Sequence, residues 1–273
     1  MRKLVCVMSA AVLLPAFAVA QQAAKPASNG ANGLRTADGH PDLGGVWAFA
    51  IDLPPTALKK EVNGKVTINT IDQSSRRGPK IEIAGALPST PKPSYKPELL
   101  AKVKYLSDNE SKTDQVFYCG RPGVPRIGSP RKIVQLPNEI IFFYEDISGD
   151  PYRIIPTDGR PHRVNPNPSY YGDSVAHWDG DTLVVDATNF VEDTWFGEDG
   201  YFHSDAMHVT ERLWRNGPNL AWQAIVDDPK VLATPWVMPV RLVKPSTDPL
   251  EESPRCIESD GSKLLNTDHH GQR

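Results

Sequence analysis

The chain has 273 residues, of which 39% are hydrophobic, so it is long enough to bury a substantial core. Its 33 acidic and 30 basic residues give a formal net charge of −3, and no long run of basic residues occurs. This balance argues against nucleic acid or an anionic membrane surface as the main partner.

The first twenty residues are typical of a cleavable secretory signal peptide. Arg2 and Lys3 precede an apolar run that Pro15 interrupts, and the segment ends in the small-residue pattern Ala18-Val19-Ala20. We therefore predict cleavage before Gln21 and a periplasmic or secreted location. No membrane span is expected, because no later stretch is long and apolar enough to cross a bilayer.

The rest of the chain is interpreted as one domain with flexible ends. We expect residues 21–33, which are small and polar, to form a disordered leader, and residues 259–273 to form a flexible tail. Residues 34–258 are expected to form a single β-rich domain. Within it, residues 53–94 are rich in proline and charge, and their role stays open.

One helix and a series of short strands are predicted. Pro97 begins a helix that extends to Leu106, with apolar residues at helical spacing. Turn residues then separate short apolar segments, which is typical of antiparallel sheets. The predicted strands cover residues 65–71, 80–84, 132–136, 139–145, 152–155, 174–178, 182–188, 207–215, 220–226 and 237–243. We expect an all-β fold, an antiparallel barrel because closure removes exposed strand edges, with a β-sandwich as the alternative.

Cys119 and Cys256 are the cysteines that remain once the signal peptide, which contains Cys6, is removed. In an oxidising compartment, two such residues favour a structural disulfide. The alternative is a pair of free thiols. A metal or redox role is disfavoured, because the sequence contains no CxxC pair.

Three segments resemble the motifs of a large family of secreted, mostly uncharacterised bacterial proteins. They are residues 36–47 (TADGHPDLGGVW), 172–186 (GDSVAHWDGDTLVVD) and 203–213 (HSDAMHVTERL). The resemblance extends from about residue 35 to residue 258 and implies an exported β-rich, lipocalin-like (calycin-like) protein. It implies no particular reaction. The chain has Ala176-His177 where the family pattern has Gly-Arg, so no shared role is expected for His177.

The predicted catalytic residues lie in and around the second and third motifs. Histidine changes charge near neutral pH, and a neighbouring carboxylate can orient it as a general base. The hypothesis takes His203 as the principal proton-transfer residue, with Asp186 or Asp205 orienting it. Glu211 is the second acid/base group.

Strand alternation separates the residues around Glu211. In a strand over residues 207–214, Glu211 shares its face with apolar residues alone, whereas His208 and Arg212 lie on the opposite face. A carboxylate on an inward apolar face has a raised pKa, which suits proton transfer. The alternative is that Glu211 forms an ion pair with an interior arginine.

A second set of residues is expected to bind the substrate, namely Tyr144, Arg153, His162, Trp195, His208 and Arg212. Tyr144 and Arg153 lie on neighbouring predicted strands and are candidates to hold a substrate oxygen. Trp195 begins an aromatic segment that ends at Phe202. That segment is interpreted either as part of the core or as a lid over an apolar ligand.

These residues favour an exported, cofactor-independent acid/base enzyme, a lyase, isomerase or hydrolase, acting on a small apolar or aromatic molecule in a barrel cavity. The alternative is a periplasmic binding protein or carrier without catalysis, because the same cavity supports both. We expect no metal and no nucleotide cofactor, since HExxH, GxGxxG and Walker A patterns are absent. A serine hydrolase is disfavoured because no GxSxG motif occurs. The oligomeric state stays open.

Overall fold

The computed structural model describes residues 35–48, 58–62, 65–69, 90–146, 148–253 and 256. The expectations for the signal peptide, the leader, the tail and a strand at 80–84 lie outside these residues. Among the residues described, no helix has the length and apolar character that crossing a membrane requires.

The strands form two antiparallel sheets and a separate hairpin. In chain order they are β1 (Gly45–Val46), β2 (Leu58–Val62), β3 (Lys65–Asn69), β4 (Lys132–Gln135), β5 (Glu139–Phe143), β6 (Tyr152–Pro156), β7 (Asp173–Asp179), β8 (Thr182–Thr188), β9 (His208–Asn216), β10 (Asn219–Asp227), β11 (Trp236–Val237) and β12 (Arg241–Val243). The smaller sheet has the order β1-β4-β5-β6. The larger sheet has the order β11-β10-β9-β8-β7, and β12 also pairs with β10. The prediction of a β-rich antiparallel fold is confirmed.

Tight turns set the register of the larger sheet. The β7–β8 turn pairs Asp179 with Thr182, and Gly180 takes the positive φ of +59° that this short connection requires. The predicted strand at 237–243 is instead split into β11 and β12, which pair with opposite ends of β10. Pro239 lies in the break and has no N–H to donate to a ladder.

The predicted helix is confirmed near its expected bounds. A 3-10 turn covers Pro97–Leu99, and helix α1 continues over Leu100–Asp108, followed by the short helix α2 (Glu110–Thr113). The backbone at Gly200 lies directly against α1. A Cβ atom at this position would come within 2.6 Å of the Val103 carbonyl oxygen, so glycine permits the close approach.

The two sheets contribute their inner faces to one hydrophobic core. The smaller sheet contributes Ile133, Ile140, Phe142 and Ile155, and the larger sheet contributes Leu183, Val185, Val209, Leu213 and Trp222. The strands that the structure describes do not close into a barrel. What the two inner faces enclose is a packed core.

The predicted disulfide is confirmed. Cys119 and Cys256 are bonded, with their Cα atoms 5.7 Å apart. Cys119 follows a 3-10 turn over Gln115–Tyr118, so the bond joins the end of the helical region to Cys256, which follows β12 in the chain.

Candidate functional site

A polar cluster occupies the outer face of the larger sheet. Asp186 on β8 pairs in register with Thr210 on β9, so both side chains lie on one face together with His208. The core residues Val209 and Glu211 alternate with them and point inward. The predicted separation of His208 from Glu211 therefore agrees with the strand that forms.

Asp186 lies between two imidazoles. Its Oδ1 atom is 2.6 Å from Nε2 of His208 and 3.1 Å from Nε2 of His162. The other ring nitrogen of His162, Nδ1, is 3.0 Å from Oδ2 of Asp173. These four residues, Asp173, His162, Asp186 and His208, form a continuous chain of contacts that we call the His–Asp cluster.

The loop that carries His162 is held over the sheet by Asp173. The carboxylate of Asp173 accepts hydrogen bonds from the backbone N–H of Arg163, at 3.0 Å, and from its Nε–H. Asp173 is buried, whereas the His162 side chain is 29% exposed. Both nitrogens of His162 therefore face carboxylates, and its ring is fixed between β7 and β8.

The contact between Asp186 and His208 shifts the pKa of both groups. The hydrogen bond with Asp186 raises the pKa of His208, partly offset by burial, and the charges of Asp186 and Asp227 add to the increase. The hydrogen bond with His208 likewise lowers the pKa of Asp186. Burial favours the neutral form of Asp173, but its hydrogen bonds with Arg163 lower its pKa overall. The cluster therefore stabilises an ionised Asp186 beside a readily protonated His208.

His208 is arranged as a proton acceptor that solvent can reach. Asp186 accepts the Nε2–H, so the lone pair of the neutral ring lies on Nδ1. Within the described part of the chain, Nδ1 has no hydrogen-bond partner, and the side chain is 41% exposed. The pair has the base and orienting carboxylate of a general acid/base site.

The cluster is not arranged as a metal site. Within the described ranges, no group of three or more His, Cys, Asp or Glu side chains is placed to hold a metal ion. The donor nitrogens of His162 and His208 instead face Asp186.

A second polar group lies in the interior and joins the two sheets. Arg153 on β6 forms an ion pair with Glu211 on β9 through Nη1 and Oε2. The guanidinium also donates to Tyr144 Oη at 3.1 Å and to Ser174 Oγ at 2.9 Å, and Trp222 Nε1 donates to Glu211 Oε1 at 3.1 Å. The structure therefore has the interior ion pair that the sequence left open as the alternative for Glu211.

His203 lies apart from both groups. It is 3% exposed, with Nε2 2.7 Å from Thr194 Oγ1 and Nδ1 2.9 Å from the Ser204 carbonyl oxygen. Burial lowers its pKa and so favours the neutral ring. Both ring nitrogens are engaged, which suits a structural role better than proton transfer.

The structure distributes the remaining predicted site residues over separate places. Asp205 is exposed and forms an ion pair with Lys230. Trp195 is buried in the core, and its backbone forms an isolated antiparallel β-bridge with Phe202. Arg212 lies on the outer face with the His–Asp cluster, and Tyr144 and Arg153 accompany Glu211. The predicted catalytic set of His203, Asp186, Glu211 and Asp205 is thus not brought together.

The sequence analysis missed Asp173, although a signal for it was present. A two-residue β7–β8 turn fixes the pairing of Val175 with Asp186. Alternation then places Asp173 and Asp186 on the same face. The turn and the alternation together would have predicted that these two carboxylates lie near each other.

Comparison of the chain with protein-family models, with curated proteins and with solved structures finds no match. The geometry of the His–Asp cluster therefore carries the functional argument.

Proposed function

We propose that the protein is an exported, cofactor-independent acid/base enzyme whose proton-transfer site is the His–Asp cluster. His208 is the catalytic residue, and Asp186 orients it. The contact of 2.6 Å between them carries the proposal, because it leaves Nδ1 of a half-exposed imidazole available to a substrate. His203, the principal base of the sequence hypothesis, is replaced in this role.

The electrostatics suit proton transfer near neutral pH. A general base works best when its pKa lies near the pH of the reaction, and Asp186 raises the pKa of His208 from an ordinary value already close to neutrality. Asp173 and His162 support Asp186 from the other side. Asp173 and His162 thus hold the Asp186 carboxylate in position, and Asp186 in turn orients His208.

The surrounding sheet face suits a small apolar or aromatic substrate. Val175 and Ile225 are half-buried on the outer face. Val184 lies on the same face, two residues from Asp186 on β8. A flat ring resting on these side chains would place its edge at the imidazole. Such a site needs no enclosed barrel cavity. A lyase, isomerase or hydrolase reaction would each use this base.

The test is an activity screen followed by two substitutions. The purified mature protein is incubated, without added cofactor, with a panel of small aromatic and terpenoid-like compounds, and products are detected by mass spectrometry. His208→Gln and Asp186→Asn should each lower kcat by about 10²- to 10⁴-fold while the melting temperature stays close to that of the wild type. His40→Gln is the matched control, since His40 is half-buried but stacks on Trp178, on the opposite face of β7.

Two outcomes would overturn the proposal. Full turnover in His208→Gln would place the chemistry elsewhere. Saturable binding of panel compounds without any product would favour the carrier, which is the alternative that the sequence left open.

A further inference from the structure

Arg212 carries a positive charge onto the same sheet face as His208. It lies four residues further along β9 and pairs in register with Val184 on β8. Its guanidinium reaches past β8 to Asp179 on β7, with Nη2 3.1 Å from Oδ2. The guanidinium therefore extends towards the β7–β8 turn, where Asp179 pairs in register with Thr182.

Among the residues that the structure describes, Arg212 uses little of its hydrogen-bonding capacity. A guanidinium has five N–H donors, and one of them meets Asp179. Nε is buried without a hydrogen-bond partner among the described residues. The side chain is 18% exposed, whereas that of Asp179 is 65% exposed. An ion pair with so exposed a partner is weak, so a ligand can compete with it.

Gln223 on the neighbouring strand is a buried polar residue beside Arg212 in the register of the sheet. Gln223 on β10 pairs in register with Arg212, is 4% exposed, and donates from Nε2 to the Met238 carbonyl oxygen at 2.9 Å. This bond fixes the amide orientation, so Oε1 is presented as an acceptor and has no hydrogen-bond partner in the part of the chain described.

We infer that Arg212 anchors a carboxylate of the substrate, so that the enzyme acts on small apolar or aromatic acids. This inference rests on the proposed function. The exposed carboxylate of Asp179 already accepts a hydrogen bond from Nη2 of the guanidinium, and a substrate carboxylate would take its place. A planar fork of donors matches a carboxylate with two parallel hydrogen bonds.

The spacing constrains the length of the acid. His208 contacts Asp186, whereas the guanidinium of Arg212 contacts Asp179, which pairs in register with Thr182. Thr182 and Asp186 are four residues apart on β8, and such positions are separated by about 13 Å. An acid held at Arg212 would therefore have to extend along β8 to reach His208, which favours an elongated aromatic acid.

The test is a binding comparison by isothermal titration calorimetry with 4-methylbenzoate and its uncharged isostere 4-methylbenzamide. The wild type should bind the acid more tightly than the amide. Arg212→Gln should weaken binding of the acid at least about tenfold, as expected for loss of a charged hydrogen-bonding partner, and leave the amide unaffected. Arg212→Lys should have an intermediate effect, and Asp179→Asn should tighten binding by removing the competitor.

Arg160→Gln is the control, since Arg160 is an exposed arginine paired with Asp158 and has no contact with Arg212 or Asp179 among the described residues, and it should change nothing. Equal affinity for acid and amide, no saturable binding of the acid, or an unaltered affinity in Arg212→Gln would each overturn the inference. His208→Gln should still bind 4-methylbenzoate. Failure of the catalytic proposal, seen in turnover, is therefore distinguishable from failure of the carboxylate anchor, seen in binding.

Discussion

Oδ1 of Asp186 lies 2.6 Å from Nε2 of His208, across neighbouring strands of the larger sheet. The two residues are not directly opposite each other. Asp186 pairs in register with Thr210, two residues along β9 from His208, and His208 pairs with Asp227 on β10. A diagonal contact of this kind is within reach of long side chains on one face of a sheet. It couples the charge of Asp186 to the protonation of His208.

Asp186→Asn should lower the pKa of His208, because it removes the hydrogen bond and the charge that raise it. A raised histidine pKa contributes stability that is complete below the unfolded-state pKa and is lost as pH rises through the folded-state pKa. The variant should therefore lose stability at acidic pH relative to the wild type. NMR titration of the His208 ring measures the shift. Asp179→Asn, a carboxylate on the same face without contact to His208, should leave that titration in place.

Local sequence signals were sufficient for most strands of the two sheets and for the faces of β9, although they did not predict β1 or β2 and merged β11 with β12. Alternation along β9 correctly separated His208 and Arg212 from Glu211, because a strand sends neighbouring side chains to opposite faces whatever the tertiary fold. Pro97 correctly marked the start of the helical segment. Barrel closure was not predictable in this way, since it depends on pairing between distant strand edges.

The candidate site is formed by long-range contacts that strand alternation cannot predict. Asp186, His162 and His208 were all predicted as site residues, but Asp186 was paired with His203 because the two are close in the chain. The structure instead brings His162 in from a loop, held by Asp173. Such loop placement follows from long-range hydrogen bonds, which no periodicity encodes.

His203→Ala separates the structural role of His203 from a catalytic one. The substitution removes a buried ring together with its contacts with the Thr194 hydroxyl, which keeps the Val191 carbonyl oxygen as a partner, and with the Ser204 carbonyl oxygen. We expect a loss of about 1–3 kcal/mol in the free energy of unfolding, measured in urea. Turnover per folded molecule should be retained. An unchanged stability together with lost turnover would restore His203 as the base.

Glu211→Gln should be strongly destabilising, because it leaves the Arg153 guanidinium buried without a charged partner. Removing one partner of a buried ion pair costs about 3–5 kcal/mol. The double variant Arg153→Met/Glu211→Leu should recover part of this loss, because it leaves no unpaired charge. Asp158→Asn, which breaks the exposed pair with Arg160, should have little effect. A Glu211→Gln variant of wild-type stability would contradict the structural role of the pair.

Loss of the disulfide should destabilise the domain through the unfolded chain. Cys119 and Cys256 are separated by 137 residues, and closing a loop of that length is worth about 5 kcal/mol in the chain-entropy model. Replacing both cysteines with serine should lower the urea midpoint accordingly. Mass spectrometry after alkylation without reductant should find no modified thiol in the wild type. Two alkylated cysteines there would contradict the bond.

Two carboxyl groups at the junction of α2 and the 195–202 loop should make stability depend on pH. Burial raises the pKa of Glu110 to about 7. The negative charges of Glu198, Asp114 and Asp199 add to this increase, and the positive charge of Arg126 opposes it. Burial likewise raises the pKa of Glu198 to about 7. The charge of Arg126 opposes this increase, and the charges of Asp199 and Asp114 add to it. Arg126 offers limited relief, because Nη1 and Nη2 both bind Asp114, at 2.9 and 2.6 Å.

The sign of the effect follows from the raised values. Between the ordinary glutamate pKa of 4.5 and about 7, the folded protein binds more protons than the unfolded chain, so the free energy of unfolding falls as pH rises and levels off above pH 7. Urea unfolding at several pH values between 4.5 and 8.5 should show this decline, and Glu110→Gln/Glu198→Gln should flatten it. Glu192→Gln, an exposed carboxyl in the neighbouring segment, should keep the wild-type slope. An equal decline in the double variant would show that other groups cause it.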